Sequence, residues 1–281
     1  MDKIKKVYID SRYKTSDSIS NSDFKFELQE QFEVPDNTVC YIDDISIPHS
    51  WYTVEEYNNK LYIEVTLQDF SLTAAVMTIP PGNYTATNLA STLQAILRSR
   101  YYAEDFTCVY NTARGTISIT ANRAFSIYTD DQVVQLTNSI GVDPSFPGWV
   151  DHNDLPTTVD INNLMSVNEI LRNSENKSAD VTFESGFVDL LNVHNIYMHC
   201  PNIGHYNCIG VRGENSIIKK IPVSSSFGYL ILDSVVAPHD KIDVSRQSIK
   251  TMHFTLKNVH GNVINLHGAH ISFSLVFQTI E

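Results

Sequence analysis

The chain has 281 residues, 42% hydrophobic and 19% charged, which is enough apolar material for a sizeable core and excludes a disordered chain. Its formal net charge is −12, from 32 acidic against 20 basic residues, which argues against broad binding to a nucleic-acid backbone. The N-terminus MDKIKKVYIDSRYK lacks the apolar stretch of a secretory signal, and no apolar run is long enough to span a bilayer.

Residues 11–22, SRYKTSDSISNS, are polar and expected to be extended. Phe24, Phe26 and Leu28 then alternate with Lys25 and Glu27, the period-two pattern of a half-buried strand. After the Pro35-Asp36-Asn37 turn, Val39 to Ile47 gives a second strand, which Pro48-His49-Ser50 ends. Asn58-Asn59 marks another turn, and Leu61, Ile63, Val65 and Leu67 follow on one face.

From Ile79 to Tyr102 the pattern changes. Pro80-Pro81-Gly82 forces a turn, because proline fixes φ and glycine permits positive φ. Thr85 or Thr87 is placed to cap a helix, along which Leu89, Leu93, Ile96 and Leu97 form an apolar stripe. Ser91, Gln94, Arg98 and Arg100 are assigned to its wet side. Phe106 to Tyr110 and Thr116 to Thr120 flank NTARG and read as a hairpin, against which the stripe is expected to pack. Phe125 and Ile127 give a short strand, and Asp131 to Ser139 a weaker helix. Residues 71–149 therefore read as an inserted α+β domain.

The stretch 140–158 carries three prolines and two glycines and reads as a long connection. Strands then return at Val181 to Phe183, Val193 to His199, Ile217 to Val223 and Tyr229 to Val236. Ile249 to Leu256 is expected to pair with Val263 to Leu266. Ile271, Phe273, Leu275 and Phe277 face one way along the last strand. About eight strands outside the insert, with no βαβ alternation, predict a mainly β fold. It is a single antiparallel β-sandwich of the jelly-roll kind, built from residues 1–70 and 150–281.

Candidate sites are sparse. His199, Cys200, His205 and Cys208 are all zinc-ligand types, but adjacent residues on a strand face apart and the spacing matches no usual pattern. Asp151 and Asp154, near His152, lack the glycine and spacing of a calcium loop. The pairs Asp43-Asp44, Glu55-Glu56 and Asp130-Asp131 read as solvated edges or turns. The cysteines Cys40, Cys108, Cys200 and Cys208 read as reduced, buried thiols of a protein made in the cytosol. No G-x-S-x-G, H-E-x-x-H or Walker-type loop occurs, so the expectation is no enzyme, no catalytic or metal residues and no cofactor. The aromatics Trp51, Tyr52, Tyr57, Phe146 and Trp149 suit either an interface or sugar platform or plugs at the ends of the sandwich.

Four stretches carry a family resemblance: YIDSRYKTSDSISNSDFKFEL, VCYIDDISIPHSWYTVEEYNNKLYI, IPPGNYTATNLASTLQAIL, and YLILDSVVAPHDKI through MHFTLKNVHGNVINLHGAHISFSLVFQ. Together they resemble the penton, or minor capsid, proteins of virophages and Polinton/Maverick-type viruses. The resemblance implies a single jelly roll, with an outward-projecting insertion between two of its strands. It implies a homopentamer at the vertices of an icosahedral virion, beside a double-jelly-roll major capsid protein. A host receptor reached through the insert is the further partner it suggests. The alternative is a receptor- or carbohydrate-binding spike or fibre without a shell role.

Overall fold

The computed structural model describes residues 4–133, 165–173, 180–203 and 208–280. The chain divides into two compact units, one of Met1–Trp51 with Val193–Glu281 and the other of Tyr52–Asn192.

The first unit contains β1 (Ile4–Asp10), β2 (Asp23–Glu33), β3 (Thr38–Pro48), β9 (Asn195–His199), β10 (Ile217–Pro222), β11 (Leu230–Asp233), the short β12 (Ile242–Asp243), β13 (Ser248–Lys257) and β14 (Ser272–Thr279). One sheet runs β1-β14-β3-β11, with β12 also on β3, and the other runs β10-β9-β13-β2. All these pairs are antiparallel. With β12 set aside, the first strand of the unit pairs with the last, the second with the next to last, and so inward to β9 with β10. This nested pairing is a ribbon wound into two sheets, the jelly-roll arrangement.

Between the sheets lie Phe24, Phe254, Phe273 and Phe277 with Ile42, Ile45, Ile47, Met198 and Leu275. Phe254 meets Phe273 edge-on at 4.9 Å between ring centroids. The Ile271–Phe277 alternation is realised in β14, but its opposite face is covered too, since Ser274 and Val276 are buried. In β3 the apolar positions change parity, from Cys40 and Ile42 to Ile45 and Ile47. The register passes from Ser274 opposite Asp44 to Leu275 opposite Ile42, so Asp43 is the extra residue of a β-bulge. The polar 11–22 segment is not simply extended. Ser11–Tyr13 forms a 3-10 turn, and Thr15 N–H and Ser18 Oγ bond the backbone of Lys25. Of the expected pairing of Val263 to Leu266 with β13, the structure has the start: the Lys257–Val263 bridge and the Ile264 N–H on the Leu256 carbonyl at 3.0 Å.

The second unit contains β4 (Lys60–Thr66), β5 (Leu72–Thr78), helix α1 (Ala86–Arg100), β6 (Thr107–Asn111), β7 (Thr116–Ile127), the short α2 (Asn168–Leu171) and β8 (Asp180–Glu184). Its sheet runs β5-β4-β7-β6, with β8 also on β7. Boundaries at 70 and 150 therefore do not match this division. The Leu61–Val65 strand pairs with β5 and β7, and the Val181–Phe183 strand pairs with β7, so both belong with the helix. The expected Asp131–Ser139 helix and 140–158 connection lie largely outside the described residues.

Thr85 caps α1, its side chain accepting from the N–H of Asn88 at 3.2 Å. Leu89, Leu93 and Leu97 are fully buried against the strands, each burial contributing about 1.5–3 kcal/mol. Arg98 is exposed and Gln94 half-buried on the wet side, and both also bind the backbone of the β6 segment. Gln94 Oε1 accepts from Cys108 N–H at 2.9 Å, and Arg98 Nε donates to the Phe106 carbonyl at 2.6 Å. The helix thus covers a sheet edge that would otherwise present unpaired backbone groups.

Candidate functional site

A two-sheet sandwich has two long open sides. Here β1 and β2 border one, and β10 and β11 border the other. On the first side lies a concavity of about 570 Å³, whose apolar floor is Val7, Ile9, Phe26, Leu28 and Phe273. Tyr8 and Tyr13 border it and are exposed. Lys5 Nζ sits 3.8 Å from the centre of the Phe32 ring, a cation–π contact that ties β1 to β2. Lys6 Nζ lies 2.5 Å from Asp43 and 3.7 Å from Asp44. The bulge is what brings both carboxylates to one lysine, where a regular strand would point them apart.

On the opposite side, the apolar run Tyr229-Leu230-Ile231-Leu232 leads into and fills most of the end strand β11. Ile231 is buried, while Leu230 and Leu232 are 55% and 69% exposed. Tyr229 and Val235 are exposed beside them. Beneath, Lys219 is buried on β10 and donates to the Val235 carbonyl at 2.7 Å, with Asp233 at 3.5 Å. One buried ammonium thus fastens the two sheets on this side.

The remaining candidate residues separate. Glu55 is buried and accepts from Tyr52 N–H at 2.9 Å, whereas Glu56 is exposed. Asp130 accepts from Asn168 Nδ2 at 2.9 Å and from Ser166, and burial raises its carboxyl above the usual range. Trp51 is buried in the sandwich core, its ring stacked on His49 at 4.2 Å, while Tyr52 and Tyr57 are half-buried in the second unit. His49 Nδ1 donates to the Ser225 carbonyl at 2.7 Å, and burial holds its imidazole below 6.5.

Cys200 faces the core, where burial pushes its thiol up to about 12. His199 pairs with Ser216 Oγ at 3.0 Å, and burial together with the charge of Lys257 lowers its imidazole. Cys40 and Cys108 are buried free thiols, and Cys208 is partly exposed. Among the described residues, no group of three or more His, Cys, Asp or Glu could hold a metal ion. His205, Asp151, His152, Asp154, Phe146 and Trp149 lie outside the described residues. No helix is long and apolar enough to cross a membrane among the described residues.

No family model matches the chain. No curated protein matches it either. The crystal structure of the mavirus penton protein matches over 100% of both chains, with a TM-score of 0.52 and 9% sequence identity. The fold is penton-like. It is mainly β, with antiparallel sheets in both units.

Sequence reasoning missed both open sides of the sandwich. One signal was present: a strand that is apolar on both faces, as Leu230-Ile231-Leu232 is, belongs at the centre of a fold or at a contact. The groove between β1 and β2 gave no signal, because its two walls come from strands in different sheets.

Proposed function

We propose that this chain is a structural capsid protein that forms the pentameric vertex of an icosahedral virus particle. The likeness to a penton protein over the full length of both chains carries this reading. The two open sides of the sandwich support it. A cyclic ring needs two different, complementary surfaces on each subunit, since one side of a copy meets the other side of the next. The tyrosine-rimmed groove of β1 and β2 and the leucine pair of β11 are two such surfaces, on opposite sides of one sandwich. The partners in this reading are further copies of the chain and the major capsid protein around the vertex. The virion is its location.

Native mass spectrometry of the full chain tests the ring. A pentamer is expected, and Leu232→Asp should abolish it while leaving the circular dichroism spectrum unchanged. A ring of another size, or a pentamer indifferent to Leu232→Asp, contradicts the proposal.

A further inference from the structure

The second unit holds a pocket of about 380 Å³ between two turns. One turn joins β4 to β5 and supplies Gln68 and Asp69; the other joins α1 to β6 and supplies Tyr102 and Glu104, next to Arg100 at the end of α1. The volume falls in the small-ligand range of roughly 300–1,000 Å³. Gln68 Nε2 and Asn122 Nδ2 both reach the Ala103 carbonyl, at 3.4 and 3.3 Å, and pin the second turn in place.

Beside Tyr101, whose buried Oη also lacks a hydrogen-bond partner among the described residues, Glu104 is the unusual member. It is 2% exposed, and its Oε2 has no hydrogen-bond partner among the described residues. A buried acceptor left unpaired is costly, and a ligand hydroxyl entering the pocket would satisfy it. Tyr102, in contrast, is 88% exposed, an aromatic face held at the mouth.

We propose that this pocket binds a neutral pyranose sugar. The chemistry of the wall selects that class. Vicinal hydroxyls are donors and acceptors at once, and the wall offers both: carboxylate oxygens on Glu104 and Asp69, and N–H donors on Arg100 and Gln68. The apolar face of a pyranose stacks on an exposed tyrosine ring. An ammonium ligand would meet the Arg100 guanidinium, and an acidic sugar would meet two carboxylates, so each is disfavoured by a like charge. The proposal does not depend on the vertex role, because the pocket belongs wholly to the second unit.

The test is saturation-transfer NMR and titration calorimetry on the full chain with methyl glucoside, methyl galactoside, methyl mannoside and methyl N-acetylglucosaminide, with a sialoside as contrast. At least one neutral glycoside should bind. Tyr102→Ala, at an exposed position that leaves the fold intact, should weaken it by about fivefold to tenfold. Glu104→Gln should weaken it by about tenfold or more. Binding of none of the four, binding of the sialoside instead, or affinity unchanged by either substitution would overturn the proposal. Each of these readouts is taken whether or not the chain forms rings, so failure here and failure of the vertex reading are distinguishable.

Discussion

In the first unit two sheets cover each other; in the second, one sheet is covered by a helix. Covering a sheet with a sheet leaves both long sides of the sandwich open, and those sides carry exposed Tyr8 and Tyr13 on one edge and Leu230 and Leu232 on the other. Covering it with α1 instead closes an edge, since Gln94 and Arg98 take the backbone groups of the β6 segment. The difference separates two tasks. In the proposed reading the sandwich supplies the surfaces for self-contact, and the helix-covered unit, with its recess between turns, the place for a small ligand.

The two cores should respond independently to substitution. Phe254→Ala removes a ring buried between the sheets and should cost about 3–5 kcal/mol. Amide hydrogen exchange should then lose protection across β1–β3 and β9–β14 while β4–β8 and α1 stay protected. Equal loss in both units would mean that they fold as one. Lys219→Ala leaves Asp233 of β11 without its ammonium, and should destabilise the first unit by about 3 kcal/mol in urea unfolding. Thr85→Ala acts on the other side of the comparison. It removes the α1 cap and should cost about 1 kcal/mol, seen as faster exchange confined to the helix and its sheet.

A smaller, pH-dependent effect sharpens the contrast. His49 and His199 are held below 6.5 by burial, so the unfolded chain takes up protons first as the pH falls below that value. The contribution of these two groups to the first unit is therefore complete above 6.5 and is lost as the pH falls through it. Asp130 behaves oppositely. Burial holds its carboxyl above 3.8, so the folded second unit gains stability as the pH falls through that raised value towards 3.8. Exchange measured from neutral to acid pH should show the first unit loosening before the second, and Asp130→Asn should remove the second unit's gain.

Periodicity alone revealed much of this. The alternation of β14, the leucine stripe and Thr85 cap of α1, and the hairpin around Gly115 are each written in residue spacings within one short stretch of sequence. The unit boundary was not legible, because the pattern of Leu61, Ile63 and Val65 identifies a strand without naming its partner. Only pairing with β5 and β7 assigns it to the helix-covered unit. The bulge at Asp43 is written in the parity change from Ile42 to Ile45, yet its consequence, two carboxylates on Lys6, needs β1 in place. The pocket was illegible for the same reason: Gln68 and Ala103 stand 35 positions apart, and neither turn alone suggests a cavity.

Imaging of intact particles that contain this chain tests the proposed vertex position. Density for the sandwich of the β1-β14-β3-β11 and β10-β9-β13-β2 sheets is expected at the fivefold vertices, with the leucines of β11 in one copy facing the tyrosine-rimmed groove of the next. Density at any other position, or vertex copies that touch through the helix-covered unit alone, would contradict it.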